Sequence, residues 1–242
     1  MDRVKILLLL TISFIWLNAT GQKHTFKTIK SIITDINDDG KTDTIILSSS
    51  LQGHAGYNRI SVSISGFPKK TFRAKDSWTE VDKEFLQKNK NSVASNWLFL
   101  KKNDKHAVIL LFGELDGAGY RGEFSIINIE NNNINMVLDA TNDPDVEIPT
   151  GITDLDNDGR LEFIYTEYRQ CVQTATNLQV CSYSPFYVYT IAGICRLNKP
   201  LMKAYNQKNY VFAGYEYSEN ILIYDPKDGR RPRVWHGKLA SQ

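Results

Sequence analysis

The chain has 242 residues, of which 42% are hydrophobic, 11% aromatic and 23% charged, enough apolar material for one large core or two small ones and too much for a wholly disordered chain. Lys plus Arg number 29 and Asp plus Glu 27, a net charge of +2 that gives no electrostatic basis for a dedicated nucleic-acid binder. The first 21 residues read as an export signal. Arg3 and Lys5 supply a basic start, Ile6 to Leu17 is an almost unbroken apolar run of 12, and Ala19 and Gly21 fit the −3 and −1 positions of a cleavage before Gln22. A membrane span needs about 20 apolar residues, so the expectation is cleavage and no span thereafter. The first cysteine is Cys171, which excludes a lipid-anchored start. Residues 22–242 hold 27 basic and 26 acidic side chains and are expected in the periplasm or outside the cell.

Past the signal, alternation with period 2 and β-branched or aromatic content predicts strands near 27–34, 43–49, 59–65, 97–101, 107–113, 123–130, 133–138, 151–154, 161–168, 185–192 and 220–224. Between the third and fourth of these, Ser77 and Glu80 match a capping box, and Val81, Phe85 and Leu86 give a short apolar stripe at helical spacing, the one helix the sequence predicts. Late in the chain, Cys171 and Cys181 flank nine residues expected to form a loop. In an oxidising compartment they are the preferred disulfide among three pairings, with Cys195 left as a buried thiol.

Laid in register, the strands form a repeating unit: a short strand, a polar turn, a strongly apolar strand (TDTIIL, HAVILLFG, LEFIYTEY), a longer connection and an alternating return strand. The turns begin near Asp35, Asn103 and Asp154, spaced by 68 and 51 residues, a period at which repeated β-sheet units are expected. Ala55-Gly56-Tyr57 and Ala118-Gly119-Tyr120 occupy the same place in the first two units. The expected fold is mainly β, made of repeated antiparallel four-stranded units and propeller-like. It is a single domain over 22–242, with units near 24–75, 94–140 and 147–198 and a degenerate fourth over 200–242.

Two of the turns carry chemistry. DINDDGKTD places Asp35, Asn37, Asp39 and Asp43 at positions 1, 3, 5 and 9 with Gly40 at 6, and DLDNDGRLE places Asp154, Asp156, Asp158 and Glu162 there with Gly159 at 6. Alternate side chains in such a loop turn their oxygens toward one centre, the glycine permits the sharp bend, and the position-7 carbonyls of Lys41 and Arg160 can add a ligand. Hard oxygens at this density select calcium over magnesium, whose octahedron is stricter. The bland alternative is that Asp, Asn and Gly merely mark surface turns. An EF-hand would carry Glu at position 12 and open a helix. Here position 12 is Ile46 or Tyr165, and both loops run into strands.

This pattern resembles the FG-GAP and VCBS-type repeats of integrin α-chain β-propellers and many exported bacterial proteins. In that family the loop between the first two strands of a blade binds calcium. The resemblance rests on the two loop motifs, and it implies two structural calcium sites at Asp35, Asn37, Asp39, Asp43, Asp154, Asp156, Asp158 and Glu162. The Phe-Gly and Gly-Ala-Pro signatures are missing, and Asn103-Asp104-Lys105-His106 stands where the second unit would have its metal loop.

No nucleophile-elbow, zinc-protease or phosphate-loop motif occurs. His54, Glu114 and Asp116 lie in corresponding connections and could together serve general acid–base hydrolysis, and Tyr120, Arg121, Tyr215, Tyr217 and Trp235 could stack on sugars. Ordinary polar decoration and partial core account for both sets as well. The favoured function is a non-enzymatic binding or assembly module at the cell envelope or outside, with a protein or polysaccharide ligand; the alternatives are an enzyme acting on surface polysaccharide and a structural domain of an envelope complex.

Overall fold

The computed structural model describes residues 25–50, 56–89, 95–104, 106–113, 124–131, 133–139, 150–166, 171–173, 179–182, 185–209, 212–215, 221–224 and 233–235. The expected signal segment, His54, Glu114, Asp116, Arg121 and the second Ala-Gly-Tyr motif lie outside them.

The chain is mainly β and mainly antiparallel. Strands β1 (Lys27–Thr34), β2 (Asp43–Ser49), β3 (Tyr57–Ser63) and β4 (Lys70–Thr79) pair in succession. So do β5 (Phe99–Lys102), β6 (Ala107–Gly113), β7 (Phe124–Glu130) and β8 (Asn133–Asp139). The two meanders join into one eight-stranded sheet where Trp78 and Thr79 of β4 pair with Gly113 and Phe112 of β6. A separate four-stranded sheet holds β9 (Gly151–Thr153), β10 (Leu161–Thr166), β13 (Phe186–Ile191) and β14 (Cys195–Leu197).

The burial of β6 explains how these meanders are layered. All seven residues of AVILLFG are buried, which a strand with one wet face cannot achieve. Ala107, Ile109 and Leu111 pack with Ile45, Leu47, Ile60 and Val62 of the first meander. Val108, Leu110 and Phe112 point the other way and pack with Ile152, Leu161, Phe163 and Ile191 of the third. Alternation along one strand thus builds two cores, with the second meander between the first and third. Aromatic contacts run through the second core from Phe112 to Phe124 at 5.3 Å and from Phe124 to Phe163 at 6.1 Å. Gly56 is needed where it stands, since a Cβ there would meet the Trp78 carbonyl oxygen at 2.5 Å. That close approach lets Tyr57 bury its ring and donate its hydroxyl to the Trp97 carbonyl at 2.7 Å.

Several expectations change. Ser77 does not cap a helix: it is buried in β4, and the cap is Asp82, whose carboxylate accepts the Phe85 N–H at 2.8 Å ahead of α1 (Lys83–Lys88). Ser-x-x-Glu satisfies the capping pattern locally, but burying Trp78 against the core holds that segment extended. Phe85 is buried on the helix, whereas Val81, also buried, precedes the cap and lies outside the helix, so the expected stripe is shorter than the spacing suggests. The segment after 198 does not begin with a strand. Asn198 accepts the Leu201 N–H and starts α2 (Lys199–Asn209), with Pro200 in the first turn, where its missing N–H costs nothing.

The presumed loop between the first two cysteines is instead a hairpin of β11 (Cys171–Gln173) and β12 (Gln179–Ser182), whose backbone register sets Cys171 opposite Cys181. It joins β15 (Phe212–Tyr215), β16 (Ile221–Tyr224) and β17 (Arg233–Trp235) in a five-stranded sheet. The β12–β15 pair is parallel, so this last segment departs from the antiparallel unit. Cys195 is a free thiol and half-buried rather than buried; its surroundings push its pKa up to about 12 through desolvation.

Candidate metal centre

Each acidic loop joins the first two strands of its meander, β1 to β2 and β9 to β10. Residues at position 4, Asp38 and Asn157, adopt φ of 57° and 59°, and the position-6 glycines, Gly40 and Gly159, 77° and 85°. Asp and Asn tolerate this left-handed region better than most residues, and glycine enters it freely. Two left-handed residues two apart curl each chain segment into a tight turn.

Three internal hydrogen bonds recur at the same positions, while the position-5 N–H differs, going to Asp35 Oδ1 at 3.2 Å in the first loop and to Asp156 Oδ1 at 3.3 Å in the second. The position-1 carboxylate accepts the N–H of the position-6 glycine, Asp35 from Gly40 at 2.9 Å and Asp154 from Gly159 at 2.9 Å. Asp39 accepts from Lys41 at 2.8 Å, and Asp158 from Arg160 at 2.7 Å. At position 9, Asp43 accepts from Ile36 at 2.8 Å and Glu162 from Leu155 at 2.9 Å. Both position-9 carboxylates are 1% exposed. The eight side chains read as oxygen ligands lie in two similar turns, but among the described residues only Asp154, Asp156 and Glu162 gather their oxygens within 4.8 Å of one another. Lys41 and Arg160 enter as the position-7 residues whose N–H groups the position-5 carboxylates hold, with their side chains exposed.

One oxygen in each loop is left over. Asn37 Oδ1 and Asp154 Oδ1 are buried without a hydrogen-bond partner, a state that costs about 1–3 kcal/mol unless something fills it. In the second loop, Asp154, Asp156 and Glu162 each offer an oxygen within 4.8 Å of the others. Burial drives the Glu162 carboxyl up to about 7. The Leu155 N–H opposes that rise, the Asp156 charge adds to it, Thr190 opposes it by hydrogen bonding, and the Asp158 charge adds again. A carboxylate held against its own ionisation beside two others is relieved by a cation. Oxygen-only donors with a buried orphan in each set suit a hard divalent ion of the calcium type.

Beside the second loop lies an open cleft of about 870 Å³, whose lining includes Asp156, Asp158, Arg160, Thr190, Arg196 and Lys199. Thr190 pairs with Glu162 across β10–β13 and with Arg196 across β13–β14, so the three share one cross-strand row. Sequence reasoning found the loops and missed this cleft, because β14 and α2 were not anticipated. Among the described residues no helix is long and apolar enough to cross a membrane. No protein-family model, curated protein or solved structure matches the chain.

Proposed function

We propose that the two loops each hold a calcium ion and that the protein is an exported, non-enzymatic binding or assembly module. In this reading the stacked four-stranded meanders act as propeller-like units of the FG-GAP and VCBS kind. The observation that carries it is the recurrence of the same turn and of the same carboxylate hydrogen bonds at positions 1, 5 and 9 in two loops 119 residues apart, each with one buried unpartnered oxygen, at position 3 of the first loop and position 1 of the second. The ion is structural: side chains and a carbonyl between two strands of one meander would surround it, leaving few positions for a substrate. The cleft beside the second loop offers charged groups of both signs to a protein or polysaccharide at the cell surface. Cys171 and Cys181 face one another in antiparallel register, a Cα spacing of about 4.5–5.5 Å that lies within disulfide range, and we assign them a bridge that closes the hairpin after export.

Millimolar Ca²⁺ added to chelated protein should raise its melting temperature, with Mg²⁺ doing so less. Equal melting in chelator and in Ca²⁺ would overturn the assignment. Mass mapping of the exported protein should find a first residue at Gln22 or Thr20 and a peptide joining Cys171 to Cys181. A Cys195-containing bridge would refute the pairing and leave the calcium assignment untouched.

A further inference from the structure

The turn of the second meander has no metal ligands of its own, yet it touches both acidic loops. It closes on itself, Asn103 N–H donating to the His106 carbonyl and His106 N–H to Asn103 Oδ1, each at 3.0 Å. On one side Lys102 Nζ donates to the Asp35 carbonyl at 2.8 Å and pairs with Asp38. On the other, Asn103 Nδ2 donates to the Gly159 carbonyl at 3.1 Å, and His106 Nε2 accepts the Leu161 N–H at 3.0 Å.

His106 and Asn128 are 6% and 4% exposed. Asn128 donates from Nδ2 to the Ala192 carbonyl at 2.9 Å, which turns its Oδ1 to His106 Nδ1 at 3.0 Å. The ring therefore donates from Nδ1 and accepts at Nε2.

These contacts bear on the two peptide planes that flank Arg160. A trans peptide points its C=O and N–H in opposite directions. Holding the Leu161 N–H on His106 therefore turns the Arg160 carbonyl, the position-7 oxygen, away from the second meander. The preceding plane is held at both ends, Gly159 C=O by Asn103 and Arg160 N–H by Asp158. In the first loop Lys41 N–H is held by Asp39 in the same way, but among the described residues no side chain takes the N–H of Thr42, which corresponds to Leu161.

We propose that His106 is a positioning residue for the second cation site: reaching across from the metal-free turn of the neighbouring meander, it presets the Arg160 carbonyl as a ligand and makes this loop the tighter of the two. The proposal rests on the calcium reading above. Removing groups that orient metal ligands typically costs about 10–100-fold in affinity, and that is the size of effect assigned here.

The test uses Ca²⁺ calorimetry on the full chain in two backgrounds, Asp35→Ala to isolate the second loop and Asp154→Ala to isolate the first. His106→Gln places an amide oxygen near the Nε2 position and keeps an acceptor for Leu161. His106→Asn is too short to reach it and retains the contact to Asn128. The expected result is a loss of at least tenfold at the second loop for His106→Asn, less than threefold for His106→Gln, and no change at the first loop for either. Equal affinities in the two variants, or equal losses at both loops, would overturn the positioning role. Absence of Ca²⁺ binding in the Asp35→Ala parent would instead defeat the calcium reading at that loop. Independently of any variant, the Leu161 amide of the metal-free protein should be among the slowest of the 154–162 amides in hydrogen exchange, and fast exchange there would refute the contact.

Discussion

In the loop at 35–43 the position-9 side chain is an aspartate whose two oxygens take the N–H groups of Ile36 at 2.8 Å and Ser65 at 3.0 Å. In the loop at 154–162 it is a glutamate that takes one backbone N–H and otherwise meets Thr190 and the charges of Asp156 and Asp158. The backbone traces the same path in both. What differs is how much of the charge the fold itself compensates. The first loop satisfies its buried carboxylate with peptide N–H groups and is braced from outside by the exposed Lys102. The second sets all four of its carboxylates at odd positions where the first sets three, compensates its position-9 carboxylate with fewer backbone N–H groups, and is braced by the buried His106. A turn can thus keep one geometry while its dependence on a cation is set by its neighbours.

The largest effect should come from the layer beneath the second loop. Phe163 adjoins Glu162 in the chain, is 1% exposed, and meets Phe124 and Tyr165. Phe163→Ala should cost about 3–5 kcal/mol in urea unfolding. A loss well below that range would show that the second loop does not rest on this packing.

Calcium itself comes next. At a free concentration a hundred times the Kd, binding to one site should stabilise the protein by about 2.7 kcal/mol. Asp154→Ala should remove more of the calcium-induced rise in Tm than Asp35→Ala. The reverse order would make the first loop the dominant site.

The third contrast is with pH. The Glu162 pKa is raised in the folded chain from 4.5 to about 7, so the folded state binds this proton more tightly than the unfolded one. Its contribution to stability is then present below about pH 4.5 and is lost as the pH climbs to 7. In chelator, stability should fall across that window, Glu162→Gln should flatten the fall, and saturating Ca²⁺ should abolish it by replacing the proton. A rise in stability over the same window that depends on Glu162 would contradict the burial argument.

The smallest effect should be that of Lys102→Ala. Its side chain is 36% exposed beside Asp38, so the loss should stay near 0.2–1 kcal/mol, be confined to the first loop and shrink in salt.

Much of the fold was legible because it is local. The fully apolar 107–113 run can be buried only on both faces, and the Asp-x-Asx-x-Asp-Gly spacing fixes a loop through its own dihedrals and N–H groups. The parts that were missed are decided at a distance. The charged segment KTFRAKDSWT carries weak strand signal, and it becomes β4 through pairing with β3 and β6. The helix at 199–209 buries no residue, so it shows no deep apolar stripe to read. His106 lies 55 residues from the amide it holds. From the sequence it marks only the absence of a metal loop.

Calcium titration of the chelated chain by calorimetry should find two bound ions, with Asp154→Ala removing the tighter and Asp35→Ala the weaker. No binding at millimolar Ca²⁺, or a stoichiometry that neither substitution changes, would contradict the calcium assignment.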